Sequence, residues 1–329
     1  MRVAVFSTKS YDEEYFEKYK DDKHHSFSYF KTALNKETAN LSKGFDVVCV
    51  FVNDKIDKQT IEILSENGIK LIAMRCAGYN NVDINAAKSN HIKVVRVPSY
   101  SPEAVAEHTM ALILTLNRKT HKAYNRIREG NFSLKNLLGF NLHDKTIGVI
   151  GTGQIGAAFC RIVKGFGCHI IAHDISKSEE LMNLGVEYLP LNEVFENSDV
   201  LSLHCPLIPQ TKHIINEKSI SLMKDGVMII NTSRGALVNT ADAISGLSNK
   251  KIGYLGIDVY EQEENLFFED LSESIIQDDI ILRLNSFPNV LITSHQAYFT
   301  KEAMDEITIT TLQNINDFAK NIALKNEIT

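Results

Sequence analysis

The chain has 329 residues, of which 44% are hydrophobic and 23% charged, and its formal net charge is -6 at pH 7. This length favours two domains, and this composition is typical of a globular protein rather than a disordered or fibrous one. The acidic balance argues against a nucleic-acid partner, because nucleic-acid binding normally requires a basic surface.

Cysteine usage and hydropathy predict a cytoplasmic protein without a membrane segment. Five cysteines are scattered along the chain with no C-x-x-C pair, a pattern that predicts neither a disulfide framework nor a metal site. The amino-terminal segment reaches acidic residues before any long apolar run, so it does not resemble a signal peptide. The longest apolar stretch, 105–116, is interrupted by Glu107 and His108 and is too short to cross a bilayer.

The first hundred or so residues predict one small doubly wound unit. Apolar, β-branched runs alternate with helix-like stretches, and we predict strands at 3–6, 47–51, 71–75 and 94–97. Ser101, Pro102 and Glu103 then predict the start of a long helix, as its cap, first residue and first-turn acid. The first half of this helix is apolar on nearly every side, so we expect it to be buried against a domain or a second subunit.

A second series of apolar runs predicts a second parallel sheet. Its six strands are expected at 146–150, 169–172, 200–203, 227–230, 254–257 and 290–293. The tail after His295 has a helical pattern, and we expect it to return to the first domain. The predicted fold is therefore α/β, with two doubly wound, parallel-sheet, Rossmann-like domains and a cleft between them.

A glycine-rich turn lies between the first strand of this second sheet and the helix-like stretch that follows. It has the G-x-G-x-x-G spacing of a dinucleotide-binding turn, formed by Gly151, Thr152, Gly153, Gln154, Ile155 and Gly156. The three glycines permit a tight turn, close approach of a pyrophosphate, and close packing of helix on strand. The amides of Gln154 and Ile155, at the helix start, are expected to bind phosphate oxygens.

The next strand is followed by Asp174, at the spacing of an acid that binds a ribose hydroxyl. A carboxylate there repels a 2′-phosphate, and no arginine immediately follows, so we predict NAD rather than NADP. Lys177 is near enough in sequence to weaken this preference. The alternative interpretation is a glycine-rich turn without a ligand, with Asp174 as a cap.

Three later strands are followed by residues suited to the reduction of a 2-oxo acid. The guanidinium of Arg234 can hold a carboxylate bidentately, and His295 can donate or accept a proton near neutral pH. Glu263, if it contacts His295, favours the imidazolium form. Taken singly, each residue also has a structural explanation. Arg234 can form a surface ion pair, Glu263 can belong to a solvated acidic stretch, and His295 can be a structural histidine. Their joint occurrence at strand ends, after a dinucleotide-binding turn, favours the catalytic interpretation.

These motifs resemble those of the D-isomer-specific 2-hydroxyacid dehydrogenases, most closely the fermentative D-lactate branch, and the resemblance covers essentially the whole chain. The matching strings are R-C-A-G-Y-N-N-V-D at 75–83, V-P-S-Y-S-P at 97–102, the glycine-rich turn, H-C-P-L at 204–207, N-T-S-R-G at 231–235, D-V-Y-E-Q-E at 258–263 and S-H-Q-A at 294–297. The resemblance implies carboxylate-binding, supporting and acid/base roles for Arg234, Glu263 and His295.

The same resemblance implies further site residues. It gives the substrate pocket contributions from the smaller domain, by Ala77, Gly78 and Tyr100. Tyr298 is a further candidate to border the substrate side chain, with core packing as the alternative. For NAD, besides the turn and Asp174, it implies contacts from Cys205, Pro206, Thr211, Thr232, Ser233 and Asp258, where Thr211 occupies a position at which the branch often has asparagine.

The family's split substrate domain agrees with a tail that returns to the amino-terminal domain. We therefore predict a flavodoxin-like substrate domain over 1–100 plus 298–329 and an NAD-binding Rossmann domain over 101–297. A homodimer or homotetramer is expected.

The implied activity is the reversible, NADH-dependent reduction of pyruvate to D-lactate. The segment 265–270, with 277–279 after it, resembles an insert of bacterial lactate enzymes and favours lactate over phosphoglycerate. One alternative is a D-2-hydroxyisocaproate or phenyllactate dehydrogenase with the same machinery and a wider pocket. Another, of a different class, is an NAD-sensing, co-repressor-like binding protein, against which the full set of arginine, glutamate and histidine argues.

Overall fold

The structure is a computed structural model that describes residues 1–20, 24–263 and 266–329. The chain divides into two compact units, one made of Met1–Ser101 with Phe299–Thr329 and the other of Pro102–Tyr298. Each unit contains one parallel sheet with helices packed against it. This confirms the α/β class and the two Rossmann-like sheets.

The first unit contains a five-stranded parallel sheet in the order β2-β1-β3-β4-β5. The strands are β1 Arg2–Val5, β2 Ser26–Tyr29, β3 Val47–Val50, β4 Leu71–Met74 and β5 Lys93–Val95. The helices are α1 Ser10–Tyr19, α2 Lys58–Glu66, α3 Ile84–Ser89 and the carboxyl-terminal helix Lys301–Ala319. Every residue of β3 and β4 is buried, because helices cover both faces of the sheet.

The four predicted strands of this unit overlap β1, β3, β4 and β5. The prediction missed β2, which pairs with β1 in parallel register at the edge of the sheet. Its side chains alternate between exposed and half-buried, so its sequence lacks the continuous apolar run that marks a central parallel strand.

A buried ion pair fixes the loop that follows β4. The guanidinium of Arg75, 2% exposed, lies 2.6 Å from a carboxylate oxygen of Asp12 and donates a hydrogen bond to the carbonyl oxygen of Phe6. Because an unpaired buried charge is costly, Arg75 ties the carboxyl ends of β1 and β4 to helix α1.

The second unit contains a seven-stranded parallel sheet in the order β12-β11-β10-β9-β6-β7-β8. The strands are β6 Thr146–Ile150, β7 His169–His173, β8 Glu187–Tyr188, β9 Val200–Leu203, β10 Val227–Asn231, β11 Ile252–Ile257 and β12 Val290–Ile292. The helices are α4 Pro102–Arg118, α5 Thr120–Arg128, α6 Gln154–Gly165, α7 Glu179–Leu184, α8 Leu191–Asn197, α9 Glu217–Leu222, α10 Thr240–Ser248 and α11 Asp279–Asn285. The helix Lys301–Ala319 of the first unit is α12.

The prediction of six strands in this sheet was wrong by one. The missed strand, β8, has only two residues and lies at the sheet edge, where a strand needs no apolar run. The long helix predicted from Ser101 onward is α4, and its apolar half packs into the core of its own unit, chiefly against α6. Its burial therefore does not require a second subunit.

Strand order brings the predicted site segments to one edge. All seven strands are parallel, so their carboxyl ends lie at the same edge of the sheet. The sheet departs in opposite directions from β6, toward β7 on one side and β9 on the other, which is the switch point where such sheets bind ligands. Within the described ranges, no helix is both long and apolar enough to span a membrane.

Candidate active site

The glycine-rich turn between β6 and α6 has the geometry that its spacing predicts. Gly151 has a φ of +93°, and a Cβ there would lie 2.5 Å from the backbone nitrogen of Cys205. A Cβ on Gly156 would lie 2.1 Å from the carbonyl oxygen of Gly151, which explains the close packing of helix on turn. A Cβ on Gly153 would meet nothing within 4 Å, so this glycine leaves open space above the turn.

The start of α6 fits a pyrophosphate. Gly153 is the cap residue and has no side chain to accept the first amide hydrogen bonds of the helix. Those amides, from Gln154 onward, begin a helix of 12 residues whose dipole favours negative charge at this end. The open space beside Gly153 lies next to them.

Asp174, directly after β7, is oriented by the same turn. Its Oδ2 atom accepts hydrogen bonds from the amide and hydroxyl of Thr152, at 2.6 and 3.1 Å, and its Oδ1 atom accepts one from the amide of Ser176. Burial opposes ionisation of this carboxyl group, but the hydrogen bonds outweigh it and hold the pKa below its ordinary value. An ionised carboxylate beside the glycine-rich turn fits the ribose of NAD.

The remaining predicted NAD contacts follow the strands next to β6. After β9, Pro206 accepts a hydrogen bond from the Thr211 hydroxyl at 2.6 Å through its carbonyl oxygen. After β10, the Ser233 hydroxyl donates to the carbonyl oxygen of Cys205 at 2.8 Å, and the Thr232 hydroxyl lies 2.8 Å from that of Thr109. Cys205 lies against the turn at Gly151, and these bonds link its loop to Ser233. Contacts of Cys205, Pro206, Thr211, Thr232 and Ser233 with NAD stay predictions. Burial raises the pKa of the Cys205 thiol to about 11, which favours the protonated, less nucleophilic form at neutral pH.

His295 and Glu263 are in direct contact, as the sequence predicts. The Nδ1 atom of His295 lies 2.8 Å from Oε1 of Glu263, and the two side chains are 16% and 22% exposed. The second carboxylate oxygen of Glu263 accepts a hydrogen bond from the amide of Tyr260 at 2.9 Å. The carboxylate is thus fixed by its own loop and in turn fixes the imidazole, and Nε2 is the ring nitrogen that does not contact Glu263.

Asp258, at the end of β11, holds the segment that carries His295. Its side chain is fully buried, and its carboxylate accepts hydrogen bonds from the amides of Gln296 and Ala297 at 3.0 and 2.8 Å. Its carbonyl oxygen accepts one from the amide of His295 at 2.7 Å. These bonds support a φ of +53° at His295, a left-handed conformation that is uncommon outside glycine.

Arg234 follows β10, the neighbour of β11 in the sheet. The Nη1 atom of its half-buried guanidinium donates to the carbonyl oxygen of Ser233 at 2.7 Å, and Arg234 forms no ion pair with a carboxylate in the described part of the chain. The next residue, Gly235, lies so close to the loop after β11 that a Cβ there would be 2.2 Å from the backbone of Tyr260. The loops that bear Arg234 and Glu263 are therefore packed together at one edge.

The predicted substrate residues Ala77 and Gly78 follow β4 in the first unit. Tyr100 follows β5 and lies one residue before Ser101, where the amino-terminal segment of that unit ends. The carbonyl oxygen of Ala77 accepts a hydrogen bond from Arg96 at 2.7 Å, and the Cys76 thiol donates to that of Gly78. Tyr298, the last residue of the second unit, is 7% exposed. Roles for these four residues in substrate binding stay predictions.

Sequence reasoning missed two residues, Phe268 and His108, that contact His295 or the groups supporting it. The ring of Phe268 lies 5.9 Å from the imidazole, centroid to centroid, and His108 contacts Asp258 and Thr293. A signal existed for His108, a polar residue within the apolar stretch of α4, whereas Phe268 lies in an irregular segment with no periodicity. Asn265, the first residue of the predicted lactate insert, lies outside the described residues.

Comparison with known proteins agrees with this geometry. Residues 110–297 match the model of the D-isomer specific 2-hydroxyacid dehydrogenase NAD binding domain, within the second unit. The D-lactate dehydrogenase of Escherichia coli strain K12 is 50% identical over 328 residues, covering 100% of each chain. The chain therefore belongs to the D-isomer specific 2-hydroxyacid dehydrogenase family, and its second unit is the family's NAD-binding domain.

Solved structures are similar over the same length. An apo-structure of D-lactate dehydrogenase from Escherichia coli has a TM-score of 0.91 and 48% identity, covering 100% of both chains. A D-lactate dehydrogenase from Aquifex aeolicus, complexed with NAD and lactic acid, has a TM-score of 0.87 and 35% identity, covering 97% of this chain and 96% of that one. The similarity extends through both units.

Two glycine substitutions separate the roles within the turn. Gly151→Ala should lower the free energy of unfolding by about 2 kcal/mol or more, because it adds a strained φ and an overlap with Cys205. Gly153→Ala should change stability by less than about 1 kcal/mol, yet weaken NADH binding by about tenfold or more through the methyl group above the turn. Urea unfolding and NADH fluorescence titration measure the two effects. Equal NADH affinity in Gly153→Ala and the unmodified protein would contradict the assignment of the open space.

Proposed function

We propose that this protein catalyses the reversible NADH-dependent reduction of pyruvate to D-lactate. The observation that carries the proposal is the contact between His295 and Glu263. The loop of Arg234 adjoins theirs, and Arg234 has no carboxylate partner among the described residues. A proton donor and a guanidinium without a described carboxylate partner, carried on adjoining loops, suit a substrate with a carbonyl next to a carboxylate. The Escherichia coli and Aquifex aeolicus relatives, named for D-lactate, support this substrate.

Each residue of this site has one task in the proposed reaction. Arg234 holds the substrate carboxylate in a bidentate pair and polarises the neighbouring carbonyl. The Nε2 atom of His295 gives its proton to the carbonyl oxygen during reduction and takes it back during oxidation. Glu263 fixes the orientation of the imidazole ring through Nδ1. NADH, when bound along the glycine-rich turn, supplies the hydride.

A substrate screen tests the activity. With NADH, we expect faster turnover of pyruvate than of 4-methyl-2-oxopentanoate or phenylpyruvate, and D-lactate as the product in chiral chromatography. A preference for the bulkier oxo acids would replace the substrate assignment with a hydroxyisocaproate or phenyllactate enzyme, since one pocket methylene changes preference only modestly. Bound NADH without oxidation by any 2-oxo acid would instead indicate a binding protein.

The acid/base assignment predicts a selective loss of turnover. His295→Ala should lower kcat by ~10²–10⁴-fold, the usual cost of removing general acid catalysis, while NADH still binds. The matched control is His143→Ala, which removes another histidine paired with a carboxylate, that of Asp144, but at an exposed site. Steady-state kinetics with NADH titration measure both. A wild-type rate in His295→Ala would remove His295 from the mechanism.

The carboxylate-binding assignment predicts a loss in substrate use. Arg234→Lys keeps the charge but replaces a planar fork with a point charge, so we expect kcat/KM for pyruvate to fall by at least about tenfold. The dissociation constant for NADH should stay near its original value, because the predicted pyrophosphate contacts lie at the glycine-rich turn. Unaltered pyruvate kinetics in this variant would show that another group holds the carboxylate.

We propose a homodimer or homotetramer, with an interface at residues 124–138. This segment exposes large apolar side chains of Tyr124, Ile127, Phe132, Leu134 and Leu138, the last at 86%. A contiguous exposed apolar segment is typical of a protein contact, and the predicted partner is a second copy of the chain. Sedimentation velocity should give a dimer or tetramer.

A double substitution tests the location of that interface. Leu134→Asp with Leu138→Asp should produce monomers, because a charge on each would have to be buried unpaired. Ile275→Asp is the control, since Ile275 is 85% exposed elsewhere in the same unit. Monomeric unmodified protein, or an oligomer that persists in the double variant, would contradict the proposal.

We infer a cytoplasmic location. All five cysteines are buried free thiols, which suits a reducing compartment. Cell fractionation with activity measurement tests the inference, and activity recovered only outside the cytoplasm would overturn it.

A further inference from the structure

His108, a histidine outside the predicted site, contacts two of the groups that support His295. His108 lies on α4, and its Nε2 atom is 3.1 Å from the Thr293 hydroxyl and 3.4 Å from a carboxylate oxygen of Asp258. Its side chain is 18% exposed. The contact connects a buried helix to the loops after β11 and β12.

The hydrogen-bond chemistry fixes which group donates. The Thr293 hydroxyl donates its single proton to the Asp258 carboxylate, and an ionised carboxylate can only accept. The Thr293 oxygen therefore has only lone pairs left for His108, so Nε2 carries a hydrogen that points at two acceptors. His108 thus supplies a donor to a fully buried carboxylate, where an unmet acceptor is costly.

We propose that His108 is a positioning residue for the reaction. Through Nε2 it holds Thr293 and the Asp258 carboxylate, and that carboxylate in turn accepts hydrogen bonds from the amides of Gln296 and Ala297, directly after the strained backbone at His295. Without this donor, the segment after β12 loses one of its fixed points, and the imidazole loses its alignment with Glu263. The inference rests on the proposed function, in which His295 transfers the proton.

The magnitude follows from how steeply proton transfer depends on position. A displacement of about 1 Å in a catalytic group can lower the rate on the order of 10²-fold. We therefore expect His108→Leu, which keeps much of the volume but removes the donor, to lower kcat by about 10- to 100-fold. The KM for NADH should change by a smaller factor than kcat, because the glycine-rich turn and Asp174 lie outside this hydrogen-bond network, although Asp258 is itself a predicted NAD contact.

Matched variants separate positioning from packing. His108→Gln keeps an N–H donor at a similar reach and should recover most of kcat, whereas His108→Asn is polar but too short. Met110→Ala, a buried residue two positions along α4, lowers packing without touching the network. Thermal unfolding of each variant gives the stability loss. Equal kcat in the leucine, glutamine and original proteins, or a kcat loss that follows stability alone across all variants, would overturn the proposal.

A spectroscopic readout keeps the test independent of turnover. With ¹⁵N-labelled histidine, the Nδ1 proton of His295 should give a protected resonance, assigned by its absence in His295→Ala. We expect that resonance to be lost or broadened in His108→Leu and retained in His108→Gln. If the unmodified protein reduces no 2-oxo acid, the proposed function fails while this measurement still tests the positioning. An identical resonance in His108→Leu would refute it.

Discussion

The active-site geometry depends on one buried carboxylate. Asp258 is fully buried at the end of β11, where desolvation opposes its charge, yet hydrogen bonds from His108, Thr293 and the Ala297 amide hold its pKa below the ordinary value. A buried carboxylate is costly to leave without hydrogen-bond donors, so the donors that surround it are held in fixed positions. Here these donors include the amides directly after His295. The need to satisfy Asp258 after β11 therefore fixes the backbone after β12, including His295 in its left-handed conformation.

Strand order explains why residues distant in sequence come together. Arg234, Glu263 and His295 follow β10, β11 and β12, which are consecutive neighbours in the sheet. The glycine-rich turn follows β6, and β9 joins the two regions through the Cys205 loop, which contacts both Gly151 and Ser233. A parallel sheet places all these loops at one edge without any direct contact between the segments that precede them. The short spacing between adjacent strands then allows contacts such as that between Gly235 and Tyr260.

The strands that were predicted well are those buried on both faces of a sheet. Central parallel strands such as β3, β4 and β9 give continuous apolar runs, and the predicted segments overlap them closely. The edge strands β2 and β8 give no such run, because one is half-exposed and the other has two residues. The contact of Glu263 with His295 was predictable from chemistry and strand order. The contacts of His108 and Phe268 were not predicted, because a polar residue in an apolar helix does not show which loop it meets, and Phe268 lies in an irregular segment.

The charged groups of the site are of two kinds: carboxylates that accept hydrogen bonds from the protein, and a guanidinium without a described carboxylate partner. Asp174, Asp258 and Glu263 accept hydrogen bonds from nearby backbone amides or hydroxyls, so their orientations are fixed by the protein itself. Arg234 differs, because it is half-buried and the only described hydrogen bond of its guanidinium is to the carbonyl oxygen of Ser233. A guanidinium that no described carboxylate neutralises gains most from an anionic ligand, and its planar fork selects a carboxylate in one orientation. In the proposed reaction the substrate carboxylate pairs with Arg234, and this pairing ties recognition of the 2-oxo acid to the placement of its carbonyl.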